Sequence, residues 1–194
     1  MKKKTIVELL LSDGPSQPRI DAGAFLSLLG DGLWHVTSPA RYEGILQSAA
    51  ILPEPAIPDS ERWKTAAGPK HYPFVRSLGG VSLFDFKGFD PVAYDAYYVF
   101  SSWREFVPYR HEWGAAIWIE IDRSRAAGSV IRAKDLLDRW KKDNAHAHTL
   151  MPMIEAAHIG SIRLDVFSRV LSVDGKSGRI VNLPLPPNRP FDRP

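Results

Sequence analysis

A chain of 194 residues with 44% apolar and 24% charged side chains has the composition of a globular protein and the length for a single well-filled domain needing no covalent staples. It contains no cysteine, which excludes disulfides, thiolate metal sites and cysteine nucleophiles. A net charge of +3 is compatible with a nucleic-acid partner without demanding one.

In chain order, Met1-Lys2-Lys3-Lys4 followed by Thr5 to Leu11 imitates a secretory signal, but Glu8 interrupts the apolar run, Asp13 closes it and no small-residue cleavage site follows. No other stretch is apolar for long enough to span a bilayer, so a soluble cytoplasmic protein without a membrane partner is expected. Thr5–Leu11 reads as a strand or a turn of helix, and Ser12–Pro18 as a loop. Ala22–Leu29 is predicted helical, with Phe25, Leu28 and Leu29 on one side and Gly30 as its stop. Residues 1–32 therefore form an N-terminal extension carrying one helix. Residues 33–183 form the core of a single domain, and 184–194 a proline-rich tail.

Leu33–Val36 reads as a buried strand in which period-2 geometry puts Leu33 and His35 on one face, Trp34 and Val36 on the other. Ser38-Pro39 is a helix start: the serine oxygen accepts from a free first-turn N–H, and proline at the first helical position sacrifices no bond. Tyr42, Ile45, Leu46 and Ala49 make the core stripe of that helix, which Pro53 prevents from continuing. His35, Thr37 and Arg41 are thereby gathered at a strand end and a helix first turn, where a polar ligand meets free N–H groups and the positive dipole end. From spacing alone the plainer reading is a hydrogen-bonded core histidine and a capping threonine.

Pro53 to Pro73 is a long irregular connection containing Trp63, His71 and Tyr72, with a basic cast from Lys64, Lys70 and Arg76 beyond it. Segments of that length are often lids or binding loops, although a solvated loop explains the charges as well. Gly79-Gly80 opens a strand through Phe86, with Val81, Leu83 and Asp85 on one face and Ser82, Phe84 and Phe86 on the other. Asp90-Pro91 caps a helix predicted through Phe100, whose tyrosines Tyr94, Tyr97 and Tyr98 are candidate core residues. Trp103–Trp113 then mixes aromatics with Arg104, Arg110 and His111. That combination suits stacking plus phosphate contact, or aromatics packed on the sheet.

Ala115–Asp122 is the clearest strand, its isoleucines alternating with Trp118 and Glu120. Lys134–Lys142 is a helix with Leu136, Leu137 and Trp140 inward. His146-Ala147-His148 has metal-ligand spacing on a strand, with His158 further on, but no carboxylate separates His146 from Glu155, and no metal site is assigned. Met151–Leu164 brings Glu155 into a strand-like apolar run, as an exposed strand glutamate or a partner of Arg163. Asp174–Gly178 makes a hairpin turn into Arg179–Leu183.

Three of these stretches, in this order, resemble the motifs of ADP-ribosyltransferase-like proteins, which include a DNA-modifying toxin branch and the RNA 2′-phosphotransferases. His35-Val36-Thr37-Ser38, a short amphipathic helix and Ile51-Leu52-Pro53 are similar to the first motif, with Ala50 where that family carries glycine. The Val81–Phe86 strand resembles the second, and Glu155 followed by Ile159-Gly160-Ser161-Ile162 the third. The resemblance implies an α+β fold with a mixed, mainly antiparallel split β-sheet core and flanking helices. It implies NAD as the substrate and His35 and Glu155 as the catalytic pair, His35 bonding the ribose hydroxyls and Glu155 the 2′-hydroxyl and the developing cation. Thr37 and Arg41 then face the adenosine or pyrophosphate side, Ser82 and Phe84 line the pocket, and a tyrosine such as Tyr94 covers nicotinamide. The acceptor of ADP-ribose is a macromolecule, DNA, RNA or protein. The additional histidine and two arginines of the 2′-phosphotransferases have no positions that can be assigned here.

Two other classes stay open. One is a nucleic-acid-binding protein without catalysis, using Arg104, Arg110, Lys141 and Lys142 with the interleaved aromatics, recognisable by steep salt dependence. The other is a metal-independent ribonuclease in which imidazole and carboxylate act as base and acid, recognisable by cleavage in chelator without NAD.

Overall fold

Asp21 and Gly30 bracket the first helix, α1 (Ala22–Leu29): the Asp21 carboxylate accepts the Ala24 N–H at 2.6 Å, and Gly30 ends it. The computed structural model describes residues 20–100 and 103–187; Thr5–Leu11 and residues 188–194 of the tail lie outside the described residues. Of the three apolar residues expected on the inner side of α1, Phe25 and Leu29 are buried, but Leu28 is exposed. No helix among the described residues is long and apolar enough to cross a membrane.

Strand β1 (Leu33–Thr37) leads through Ser38 into α2 (Pro39–Ser48), with Ser38 Oγ accepting the Arg41 N–H at 3.4 Å and Pro39 in the first turn, as the sequence predicts. Ala49 turns the chain out of α2 in the left-handed region at φ 54°, and β2 (Ala50–Ile51) follows at once. The irregular connection then runs to α3 (Phe74–Ser77) and β3 (Gly80–Asp85), broken only by single turns of 3₁₀ helix at Asp59–Glu61 and Pro69–His71. The paired glycines before β3 have separate reasons. Gly79 sits at φ 65°, while a Cβ on Gly80 would lie 3.0 Å from Val75 Cγ1 and 3.1 Å from the Val75 carbonyl oxygen.

Helix α4 (Pro91–Tyr97) starts at the Asp90 cap but stops short of Phe100, so that Tyr97 and Phe100 are exposed instead of forming a buried helical face. The order continues with β4 (Ala115–Ile121), α5 (Arg123–Ala126), β5 (Val130–Ile131), α6 (Ala133–Lys142), β6 (Glu155–Ile159), β7 (Ile162–Arg163), β8 (Phe167–Asp174) and β9 (Arg179–Leu183). His146 and His148 sit in a turn instead of a strand. His146 meets the Trp140 ring edge-on at 4.7 Å, and the His148 Nδ1–H donates to the Tyr72 carbonyl at 2.7 Å.

The sheet has seven strands among the described residues, in the order β5-β6-β3-β1-β4-β8-β9, and β2 and β7 form a separate two-stranded ribbon. Every ladder is antiparallel, so the sheet is more uniform than the mixed one expected. On one face Tyr42 and Ile45 of α2 pack on Leu33, Val81, Leu83 and the β4 isoleucines. On the other, α1 and α4 close over an aromatic-rich layer with Trp34, Phe84, Phe86, Trp103 and Trp118. Trp118 holds that layer together, with Phe25 and Phe84 rings 5.5 and 5.6 Å away and its indole N–H donating to the Pro108 carbonyl at 2.7 Å.

One ladder is much shorter than its neighbours. β1 and β3 pair only at Leu33↔Asp85 and Trp34↔Phe84, whereas β1 pairs β4 from Trp34↔Glu120 to Thr37↔Ile117 and β3 pairs β6 from Gly80↔Ile159 to Phe84↔Glu155. Beyond Trp34 each central strand therefore follows its outer partner, and the sheet opens between them.

Candidate active site

The opening between β1 and β3 is the inner end of a cleft of about 840 Å³. Its walls come from β1 (His35, Thr37), the first turns of α2 (Ala40, Arg41), the connection after β2, α3, β3 (Ser82) and the first residue of β6, Glu155. The register sets Glu155 beside Phe84 on one side of the sheet, with Ser82 on that side too, and His35 with Leu33 and Thr37 on the other. They reach one cleft because the ladder between them stops.

The His35 Nδ1–H donates to the Ser82 carbonyl at 3.1 Å, across the mouth of the opening. A carbonyl only accepts, so Nδ1 carries the proton, and in the neutral ring Nε2 is left as an acceptor. Burial holds His35 down at a pKa of about 4, with the Ser82 bond opposing and the Arg41 charge assisting, so the ring is neutral near pH 7.

Glu155 is only 1% exposed, yet both its oxygens are held. Oε1 accepts from Ser82 Oγ at 2.6 Å and Oε2 from the Met151 N–H at 2.9 Å. The second bond is reciprocal, because the Glu155 N–H donates back to the Met151 carbonyl at 3.0 Å, closing the turn that delivers Glu155 to the strand start. Burial raises its carboxyl to about 7, against the lowering effect of the Ser82 and Met151 bonds. A neutral imidazole acceptor and a carboxyl poised near neutrality thus face one space. Arg163, the alternative partner considered for Glu155, pairs with Asp165 instead.

Three arginines line the cleft, in two different states. Arg62 and Arg76 are saturated: Arg62 pairs with Glu54 at 2.6 Å, and Arg76 holds both Glu54 oxygens at 2.7 and 2.9 Å and Asp59 at 2.8 Å. Tyr72 completes this network, its hydroxyl donating to Asp59 and its ring lying under the Arg76 guanidinium at 3.8 Å. The carboxylates raise the Arg76 pKa further. This network fastens the Pro53–Pro73 connection into a fixed wall. Arg41, by contrast, donates to the Glu61 backbone carbonyl and has no carboxylate pair among the described residues. Burial lowers its pKa, Glu61 opposes, and Arg110 and Arg62 reinforce the lowering.

His35, Thr37, Arg41, Ser82 and Glu155 therefore come together. Phe84 and Tyr94 do not. Phe84 is 3% exposed in the aromatic layer, stacked on Phe86, because Ser82 and not Phe84 lies where the strands part. Tyr94 is also 3% exposed, against Phe89 and Tyr98 on the far side of the sheet. Arg104 pairs with Asp95 on α4 and lies over Trp103, Arg110 pairs with Glu105 and Glu112, and His111 is exposed. None of these three lines the cleft. The one Trp, Phe or Tyr on the described cleft wall is Trp63, which the sequence places in a possible binding loop without assigning it to the pocket. Its only signal was its place in a connection too long to be a plain linker.

A second hollow, of about 470 Å³, lies against Leu46 of α2 and the chain after β9, lined mainly by leucine and proline. Among the described residues that line it, no group other than the Tyr42 hydroxyl is able to act as an acid or base. No protein-family model, no curated protein and no solved structure matches this chain.

Proposed function

We propose that this chain is an ADP-ribosyltransferase that takes NAD as substrate and transfers ADP-ribose to a macromolecule. The observation that carries the reading is the convergence of His35, Ser82 and Glu155, from β1, β3 and β6, on one cleft at the split of an antiparallel sheet. The resemblance of the three motifs supplies the reaction, and the chemistry of the cleft fits it. Its volume falls in the upper part of the range of about 300–1,000 Å³ for small-molecule and cofactor sites. It offers one arginine with no ion pair among the described residues, Arg41, for a diphosphate, and apolar walls for an aromatic base.

Cleaving the bond from nicotinamide to ribose leaves the electron pair on nicotinamide and develops positive charge at the anomeric carbon. Glu155 as carboxylate stabilises that charge in a site shielded from water, where such an interaction is worth most. The acceptor forms the new bond to the same carbon, and the proton it loses passes to Glu155, whose elevated pKa suits it as a base. Ser82 orients the carboxylate, and the unprotonated Nε2 of His35 accepts from a ribose hydroxyl. Thr37, buried at the end of β1, and Arg41 hold the diphosphate side.

The test is release of nicotinamide from NAD by the wild-type chain and by Glu155→Gln, each with pools of DNA, RNA and protein. Wild type releases nicotinamide and labels one pool, and the variant does neither. Equal release by a folded Glu155→Gln removes the reading.

A further inference from the structure

Tyr42 packs with Ile45 in the core layer under α2 and is only 9% exposed, yet its hydroxyl has no hydrogen-bond partner among the described residues. Among those residues the one fully enclosed side-chain polar atom without a partner is Thr149 Oγ1, so the Tyr42 oxygen keeps access to open space. The opening that Tyr42 borders is the hollow of about 470 Å³ beside α2, and not the cleft of His35 and Glu155, which Arg41, Gly44 and Ser48 line from the other side of the same helix. Burial raises the phenol above its ordinary pKa, so it stays protonated and able to donate.

The rest of the hollow is apolar and stiff. Leu46 of α2, Leu164, Leu183 at the end of β9 and Leu185 supply most of its side-chain surface. Pro184, Pro186 and Pro187 have a fixed φ and no N–H, so their part of the wall is set before a ligand arrives and offers it no backbone donor. The other polar side chain is Gln47, which is exposed and also borders the cleft, and no charged side chain lines the hollow among the described residues. The volume lies within the range of about 300–1,000 Å³ for small-molecule sites, which combine apolar walls with a few placed polar groups.

We propose that this hollow is a second ligand site, for a small neutral molecule with an apolar body and one hydrogen-bonding oxygen. The oxygen accepts the Tyr42 O–H, and the body lies among the four leucines. The buried hydroxyl calls for a polar atom, because a donor left unpaired away from water costs free energy. An anion would give up its hydration with no cation on the wall to meet it. A wholly apolar molecule would cover the hydroxyl without satisfying it. The site stands apart from ADP-ribose transfer and does not depend on that reading.

The experiment follows leucine methyl resonances of the full chain by NMR during titration with n-hexanol, n-hexane and hexanoate. The methyls of Leu46, Leu164, Leu183 and Leu185 should shift saturably with n-hexanol at a Kd of about 1 mM, while those of Leu136, on α6 outside the hollow, stay in place. Hexanoate should bind about tenfold more weakly or not at all. Tyr42→Phe, which keeps the ring and its packing, should weaken n-hexanol about fivefold and leave n-hexane unchanged, a difference that a purely structural tyrosine does not produce. Leu185→Asp, at a half-exposed position beyond β9, should abolish n-hexanol binding even if Tyr42→Phe fails to fold. No saturable shift up to the solubility of n-hexanol, equal affinity for hexanoate, or equal losses of n-hexanol and n-hexane in Tyr42→Phe overturns the proposal. Leucine shifts that follow protein concentration instead of n-hexanol assign the hollow to a second copy of the chain and overturn it as well.

Discussion

The Ser82 hydroxyl donates to Glu155 Oε1 at 2.6 Å along a diagonal of the β3–β6 ladder, since the residue directly opposite Ser82 is Ala157 and the one opposite Glu155 is Phe84. This contact binds the charged form of Glu155, so removing it raises the carboxyl pKa further. Ser82→Ala is expected to move the acid limb of the kcat profile upward by about one pH unit, with about fivefold lower kcat at pH 7 and little change in KM. Ser82→Thr, which keeps the hydroxyl, should restore the profile. A raised KM with an unmoved acid limb would mean that the hydroxyl touches substrate instead of positioning Glu155.

His35 and Glu155 should give stability opposite pH dependences. The Glu155 pKa is raised on folding from 4.5 to about 7, so its contribution is present below 4.5 and lost as pH rises through 7. The His35 pKa is lowered from 6.5 to about 4, so its contribution is present above 6.5 and lost as pH falls through 4. Each amounts to roughly 3 kcal/mol, and they cancel over the shared window. In denaturant titrations relative to wild type, Glu155→Gln should therefore gain stability with rising pH between 4.5 and 6.5, and His35→Gln should lose it. Parallel pH curves for wild type and both variants would contradict this.

The two kinds of cleft arginine should fail differently. Arg41→Ala, which removes the cation without a carboxylate, is expected to raise the KM for NAD about tenfold with little loss of thermal stability. Arg76→Met leaves Glu54 to Arg62 and Asp59 to Tyr72 and Arg62, loosening the Pro53–Pro73 wall at a cost of about 1 kcal/mol, with faster proteolysis within that connection. Equal KM effects without loss of stability in Arg76→Met would make the network a ligand site and not a fastening.

Much of this site is legible in the sequence because its signals are local. The Ser38-Pro39 start of α2, the alternation in β3 and the Asp174–Gly178 hairpin each specify structure over a few residues, and the elements form there. The misplacements have a common physical cause. Phe84 and Tyr94 were assigned to the cleft by strand and helix periodicity, but periodicity gives a face and not the point where two strands separate. That point depends on pairing between residues far apart in sequence. Trp63 and the Arg62–Glu54–Arg76–Asp59 network were illegible for the same reason, since an irregular connection has no period to read.

Phe84 provides a check on that correction. Phe84→Leu should cost about 1–3 kcal/mol from lost ring packing against Phe86, Phe106 and Trp118, and leave the KM for NAD unchanged. Thermal melts and steady-state kinetics on one preparation decide it. A KM several-fold higher at unaltered stability would return Phe84 to the cleft.

The most direct measurement is nicotinamide release followed by NMR at pH 8, where Glu155 is largely ionised, comparing wild type with Glu155→Gln at matched fold. Wild type is expected to release nicotinamide at least 100-fold faster than the variant, the scale on which a preorganised charge acts on a transition state. Indistinguishable rates, or none from a folded wild type supplied with DNA, RNA and protein, would contradict the assignment of Glu155 as the catalytic carboxylate.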